Sequence, residues 1–429
     1  MKQLIKLSLF LLMFLLFGCN KTTNKNQPIE TEYPEQFQVS VTNPLDSLRK
    51  DITVQLDINS IKEKHSDFNP HAFIVFNKEK ELPSQTEDIN GDGKADRIVF
   101  LIDIGPNEIQ NIAIRYSKEG VKTRKYEKRT QAVLGRKVDY KLIKGEYTGG
   151  RFEDVDSVKV PANHAAHDAL YRIEGPGWES DLITYRYYLD SRNRNDIFGK
   201  KVHGLVLQKL GVNDLISNSQ ESYTKMLDWG MDIFKVGESL GIGSIGIWFN
   251  DKIFTVSQTD SVKCIIAENG PIKSDVFTKY FGWQVEKIKY NLFSNLSISA
   301  GSRLTKTDLY LTGGEANFCT GLAKHENCGF MKSVNKNSKW GYIALYGKQS
   351  LSGDNLGIAV FYKNSDLSKA TEDKDNYIVV LKPVNGRLQY YFAAAWEEEP
   401  NGIKNENEFQ SYLNKTVEEL NNPVEAIIE

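Results

Sequence analysis

From Phe37 to about Tyr116, apolar and polar residues alternate in short runs (FQVSVTN, DITVQLDI, HAFIVFN, DRIVFLIDI, IQNIAIRYS) separated by turn residues. A side-chain period of two marks a half-buried strand, so the stretch predicts antiparallel strands in an N-terminal β-sandwich module over residues 36–120. Beyond a basic crossing at 118–150 the pattern resumes in LITYRYYLD, GIWFNDKIFTVSQ, VFTKYFGWQVEKIKYNLFS, KWGYIALYG, YIVVLKP and LQYYFAAAW. Many strands at close spacing predict a mainly β chain whose larger part, residues 121–429, is a large antiparallel β-sandwich with few helices.

Two stretches carry helical spacing. At 221–240, Tyr223, Met226, Leu227, Ile233 and Phe234 fall roughly on one face, interrupted by Gly230. Near the end, Phe409, Leu413, Val417 and Leu420 form one stripe and predict a closing amphipathic helix.

The first residues follow neither period. Lys2 and Lys6 precede an unbroken apolar run from Leu9 to Phe17, then Gly18 and Cys19. The run is shorter than the roughly 20 residues a spanning helix needs, so 1–18 reads as a secretory signal. Leu16-Phe17-Gly18-Cys19 reads as a lipobox, with Cys19 the lipidated first residue of the mature chain. Residues 19–35 are polar and read as a flexible tether. The expected location is the outer membrane, periplasmic face, with the bilayer met through the lipid alone. A net charge of −2 with scattered lysines excludes nucleic acid as the expected partner.

In an oxidising compartment, Cys319 and Cys328 favour a disulfide over a metal site completed by His325, because a closed zinc site wants four ligands. GIGSIG, Gly241 to Gly246, matches a dinucleotide fingerprint, but a strand-like run follows where that motif needs a helix; the glycines read as serving a turn or close packing. In DINGDGKADRIVF, Asp88, Asn90, Asp92 and Asp96 stand at loop positions that suit calcium, although position twelve is Val99. Either a structural calcium loop or an Asp-Gly hairpin fits.

The densest chemistry is HAAHDALYRIEGPGWESDLITYRYYLD, 164–190. Strand alternation puts Thr184, Arg186, Tyr188 and Asp190 on one face and Ile183, Tyr185, Tyr187 and Leu189 on the other. The polar face reads either as solvated or as a groove for an anionic sugar. In the groove reading Trp178 stacks on a ring and Arg186 clamps a carboxylate, with Arg192 or Lys200 as substitutes.

EGPGWESDLITYRYYLD, NPLDSLRKDITVQL, PSQTEDINGDGKADRIVF and CTGLAKH together resemble a family of envelope proteins, classed as a domain of unknown function, from Bacteroidota polysaccharide-utilisation loci. The resemblance spans nearly the whole chain after the tether. One branch comprises ulvan oligosaccharide dehydratases, hydro-lyases that remove water from the 4,5-unsaturated uronic acid left by ulvan lyases. The family is similar to galactose-mutarotase-like supersandwiches and polysaccharide lyases, whose concave face holds sugar. The implied partner is an anionic unsaturated uronyl oligosaccharide.

Such a dehydration needs a base, an acid for the departing hydroxyl and a cation for the uronate. The expected base is His164 or His167 and the expected acid Glu179 or Asp181. Arg186 is the expected cation, Tyr188 a further donor, and His203 and His325 more distant candidates. No cofactor is required. The competing readings are a non-catalytic glycan-binding lipoprotein and a polysaccharide lyase or glycosidase on a similar scaffold.

Overall fold

A computed structural model describes residues 29–89, 92–212, 222–335 and 337–429; Cys19 and the leader fall outside them. The described residues are mainly antiparallel β, with three α-helices. Phe37, Val39 and Val41 point inward from the strand Glu35–Thr42. They meet Val54, Leu56, Ile98, Phe100 and Ile102 from a three-stranded sheet across one closed core, so the N-terminal module is a small sandwich. Within the stretch expected to be a tether, Ile29–Glu32 forms a helical turn and Tyr33 is sealed against Ile74 and Phe76.

The larger body is built on a nine-stranded sheet running from Ser157–Lys159 at one edge to Cys328–Lys332 at the other. Two five-stranded sheets cover its inner face, and Trp178, Tyr185, Ile247, Phe318, Val276, Leu292 and Phe392 meet in the shared core. In Leu304–Thr312, buried and half-buried positions alternate without a break.

The closing helix is Glu406–Asn421. Asn405 caps it, its Oδ1 accepting from the Glu408 amide at 3.0 Å, and Phe409 and Leu413 are fully buried. Phe409 sits so close to the nine-stranded sheet that a Cβ at Gly357 would meet its ring at 2.5 Å.

The chain's last strand, Glu425–Ile428, is not part of the large sandwich that its position implied. It pairs antiparallel with Glu35–Thr42 and completes the first module's sheet. Arg129 joins the two parts as well, bonding Asp51 on one side and Asp181 on the other.

Two further expectations change. The described part of 221–240 is turns and the short strand Gly230–Asp232, because Ile233 and Phe234 enter the main core from extended backbone. Cys319 and Cys328 are free thiols, on strands of different sheets, Asn317–Ala323 and Cys328–Lys332. At GIGSIG, Gly241 and Gly243 are turn residues, Gly243 with φ +65° and a Cβ there meeting the Phe392 ring at 2.6 Å, whereas Gly246 opens a strand packed close on Cys319.

Candidate active site

The strand Thr184–Tyr187 alternates as its sequence implies, but both faces are covered. Tyr185 and Tyr187 enter the main core beside Trp178, which is 0 % exposed and spends its indole N–H on Thr305 Oγ1 at 2.8 Å. Trp178 therefore offers no ring face to a sugar.

Opposite, Arg186 is buried and bonded by Nη2 to Asp196 at 2.7 Å and Asp232 at 2.6 Å. Glu174 lies 3.6 Å from its Nη1 and also takes Arg192 at 2.6 Å and His167 at 2.8 Å. Tyr188 donates to Asp196 at 2.5 Å, and Arg192 lies over the Tyr188 ring while it holds Asp190. The structure thus gathers Arg186, Arg192, Tyr188 and His167, but around carboxylates of the chain itself. An internally neutralised guanidinium is not an open clamp; burying it stabilises only with these partners in place. Burial, then the neighbouring Asp196 charge, pushes the Asp232 carboxyl well above the usual carboxylate range.

Glu179 and Lys200 are likewise internal, both 0 % exposed. Glu179 accepts from Gln131, from Thr184 Oγ1 at 2.7 Å, from Lys200 Nζ at 3.2 Å and from the amides of Val206 and Leu207 at 2.8 Å. A carboxylate with every lone pair engaged is an anchor for its loop. Asp181 holds Arg129 and the Gly301 amide. His203 is exposed in a bend. His325 packs on the Phe234 ring at 5.2 Å, and burial draws its pKa down.

His164 pairs with a carboxylate buried beside it. The turn 165–168 folds Asp168 back so that its Oδ2 accepts from the Ala165 amide at 2.9 Å and meets His164 Nδ1 at 2.7 Å. The two side chains are 4 % and 3 % exposed. Burial raises the Asp168 pKa, yet the His164 bond and the amides of Ala165 and Leu170 outweigh it and hold the carboxyl below its ordinary value. An ionised carboxylate only accepts, so Nδ1 carries a proton towards Asp168. His164 Nε2 has no hydrogen-bond partner.

His164 lines a cavity of about 630 Å³ with Lys159, Asp190, Asn193, Gln258 and Tyr280. Burial pushes the Tyr280 phenol up to about 12, so it is protonated at neutral pH, and Asn193 Nδ2 donates to its oxygen at 3.0 Å. His164 and Tyr280 both line this cavity, with the Nε2 atom itself buried. Asp168 was visible four residues after His164, but Tyr280 and Asn193 arrive from distant strands and a turn, and no local pattern marks them.

The Asp88 loop is tied by its own backbone. Asp88 accepts from the amides of Asp92 at 3.2 Å and Gly93 at 2.7 Å, and Asp96 from Ile89 at 2.7 Å. Asn90 lies outside the described residues. Among the described residues no three His, Cys, Asp or Glu side chains are grouped to hold a metal.

No curated protein sequence matches the chain. Solved structures similar to it include a protein in the glycosyl hydrolase family 38 from Enterococcus faecalis, at 10 % identity and a TM-score of 0.45, covering 93 % of this chain and 49 % of that one. Another is an alpha-mannosidase from Enterococcus faecalis V583, at 10 % identity and a TM-score of 0.44, covering 92 % and 46 %. The chain spans about half the length of these two proteins. The family model described as Domain of unknown function (DUF4861) matches residues 41–426, and the chain belongs to that family.

Proposed function

We propose that the protein is a carbohydrate hydro-lyase that removes water from the 4,5-unsaturated uronic acid end of oligosaccharides, those released from ulvan being the substrates its sequence resemblance implies. The observation that carries the reading is the buried His164–Asp168 pair, with Nε2 unpartnered, at a cavity it shares with Tyr280. In this scheme His164 Nε2 takes the proton from carbon, and Asp168 stabilises the imidazolium that forms. Tyr280 gives its proton to the departing hydroxyl, which leaves as water. The Asn193 amide then holds the phenolate until the proton returns from His164. Lys159, exposed on the cavity wall, supplies the cation for the uronate. No metal or organic cofactor enters these steps.

The test is mass spectrometry of ulvan-lyase oligosaccharides incubated with the protein. A mass lower by one water, lost with His164→Ala, is the expected result. Tight binding with no mass change would make the protein a glycan binder instead.

A further inference from the structure

We infer that the outward face of the nine-stranded sheet is a docking surface for a uronate-bearing polysaccharide, which lies across the strands on a row of aromatic rings and cations; the choice of ulvan as that polymer rests on the function proposed above. Strand register builds the row. Lys263 pairs with Lys279, Lys279 with Phe293, Phe293 with Tyr310 and Tyr310 with Arg387. Residues directly opposite on neighbouring strands share a face, so these five side chains stand side by side across five strands, over roughly 19 Å at the usual strand spacing. The next register row, Cys264, Thr278, Ser294, Leu309 and Leu388, points the other way and is buried throughout.

The rest of the protein covers this outward face only in part. The closing helix packs on Phe361, Ala393 and Ala395, and the first module on Ile272 and Ala300. Between these patches Phe293 and Tyr310 join none of the apolar clusters formed by the described residues, and both stay half-buried. The rings hold one another in place. Phe281, 39 % exposed, meets Phe293 edge-on at 6.1 Å, Phe293 stacks on Tyr310 at 6.0 Å, and Arg387 lies 4.4 Å from the Tyr310 centroid. An apolar stripe left open in this way marks an interaction site, and its half-open rings present flat apolar area to the C–H faces of sugars.

Charge decides the occupant. Lys279 and Arg387 contact rings, Phe277 and Tyr310, and among the described residues neither they nor Lys263 has a carboxylate partner. The one carboxylate of the adjoining row, Asp308, is already held by Lys306 at 2.8 Å and Gln389 at 2.9 Å. The surface is therefore cationic and attracts the carboxylates of an acidic chain, which a guanidinium binds in bidentate fashion. A second copy of the protein fits worse, because a two-fold interface sets the same patch against itself and brings these three cations against like charges.

The experiment is affinity electrophoresis and calorimetry with two polymers, intact ulvan and the neutral glucan laminarin, beside mass loss on the unsaturated disaccharide from an ulvan-lyase digest. The wild type should bind ulvan alone, and less tightly as salt rises. Tyr310→Ala and Arg387→Gln should each weaken ulvan binding about tenfold and leave turnover of the disaccharide unchanged. Tyr310→Phe, which keeps the stacked ring, should bind like the wild type and separates loss of the platform from misfolding. Equal binding of laminarin, wild-type affinity in folded Tyr310→Ala, or self-association that Tyr310→Ala abolishes would overturn the surface. Mass loss without ulvan binding would sink the surface and leave the hydro-lyase reading standing; ulvan binding without mass loss would do the reverse.

Discussion

His164 Nδ1 lies 2.7 Å from Asp168 Oδ2, and neither side chain is more than 4 % exposed. The bond fixes one tautomer of the imidazole and leaves Nε2 as the only free nitrogen. Loss of a positioned base costs about 10²–10⁴ in rate, so His164→Ala should lower turnover by that order. Asp168→Asn should retain the ring but not its tautomer, and fall in between. It also orphans buried donors, at about 1–3 kcal/mol of stability, which thermal unfolding measures. Turnover near wild type in His164→Ala would remove the base from the scheme.

The same carboxyl gives a pH dependence of stability. Its folded pKa is depressed, so its contribution is fully present above the unfolded value of about 3.9 and is lost as pH falls through the folded value. The gap in melting temperature between wild type and Asp168→Asn should be widest at neutral pH and narrow on acidification below about pH 4. A gap constant from pH 7 to 3 would contradict it.

Arg186 neutralises Asp196 and Asp232 and lies beside Glu174. Removing one partner of a buried ionic group costs about 3–5 kcal/mol, so Arg186→Ala should melt far lower or fail to fold. Adding Asp232→Asn should restore part of the loss, because it removes one of the two buried carboxyls that Arg186 holds. A stable Arg186→Ala that loses only affinity for uronate would return this residue to the binding site.

The strand Glu425–Ile428 covers the edge of Glu35–Thr42. Deleting residues 425–429 bares that edge, whose unpaired amides and carbonyls are a template for other chains. The expected outcome is a lower melting temperature and concentration-dependent association in size-exclusion chromatography. An unchanged elution profile and melt would show that the strand adds nothing.

Cys264, Cys319 and Cys328 are free. Denatured without reductant, the protein should titrate all three with a thiol reagent, and dithiothreitol should not shift its melting temperature. A reductant-dependent melt would restore the Cys319–Cys328 bridge.

The period-two pattern by itself determined the mainly β architecture and the inward residues of both sandwiches, since a pleated strand with one buried face leaves alternation as its direct imprint. The Phe409 stripe did the same for the closing helix. At 221–240 the spacing misled, because Ile233 and Phe234 find their partners in the core across the chain, which overrides a weak local period.

Only the tertiary structure decided which polar residues face a cavity. Alternation puts Arg186 opposite Tyr185 but is silent on whether a second layer covers that face; here Glu174, Phe198 and Tyr223 cover it. Trp178, Glu179 and Lys200 were lost to the site for the same reason: each meets its partners inside the protein. His164 was legible as a proton carrier, whereas Tyr280 and Asn193 join it through strand register and a turn, a long-range arrangement that no short stretch of sequence encodes.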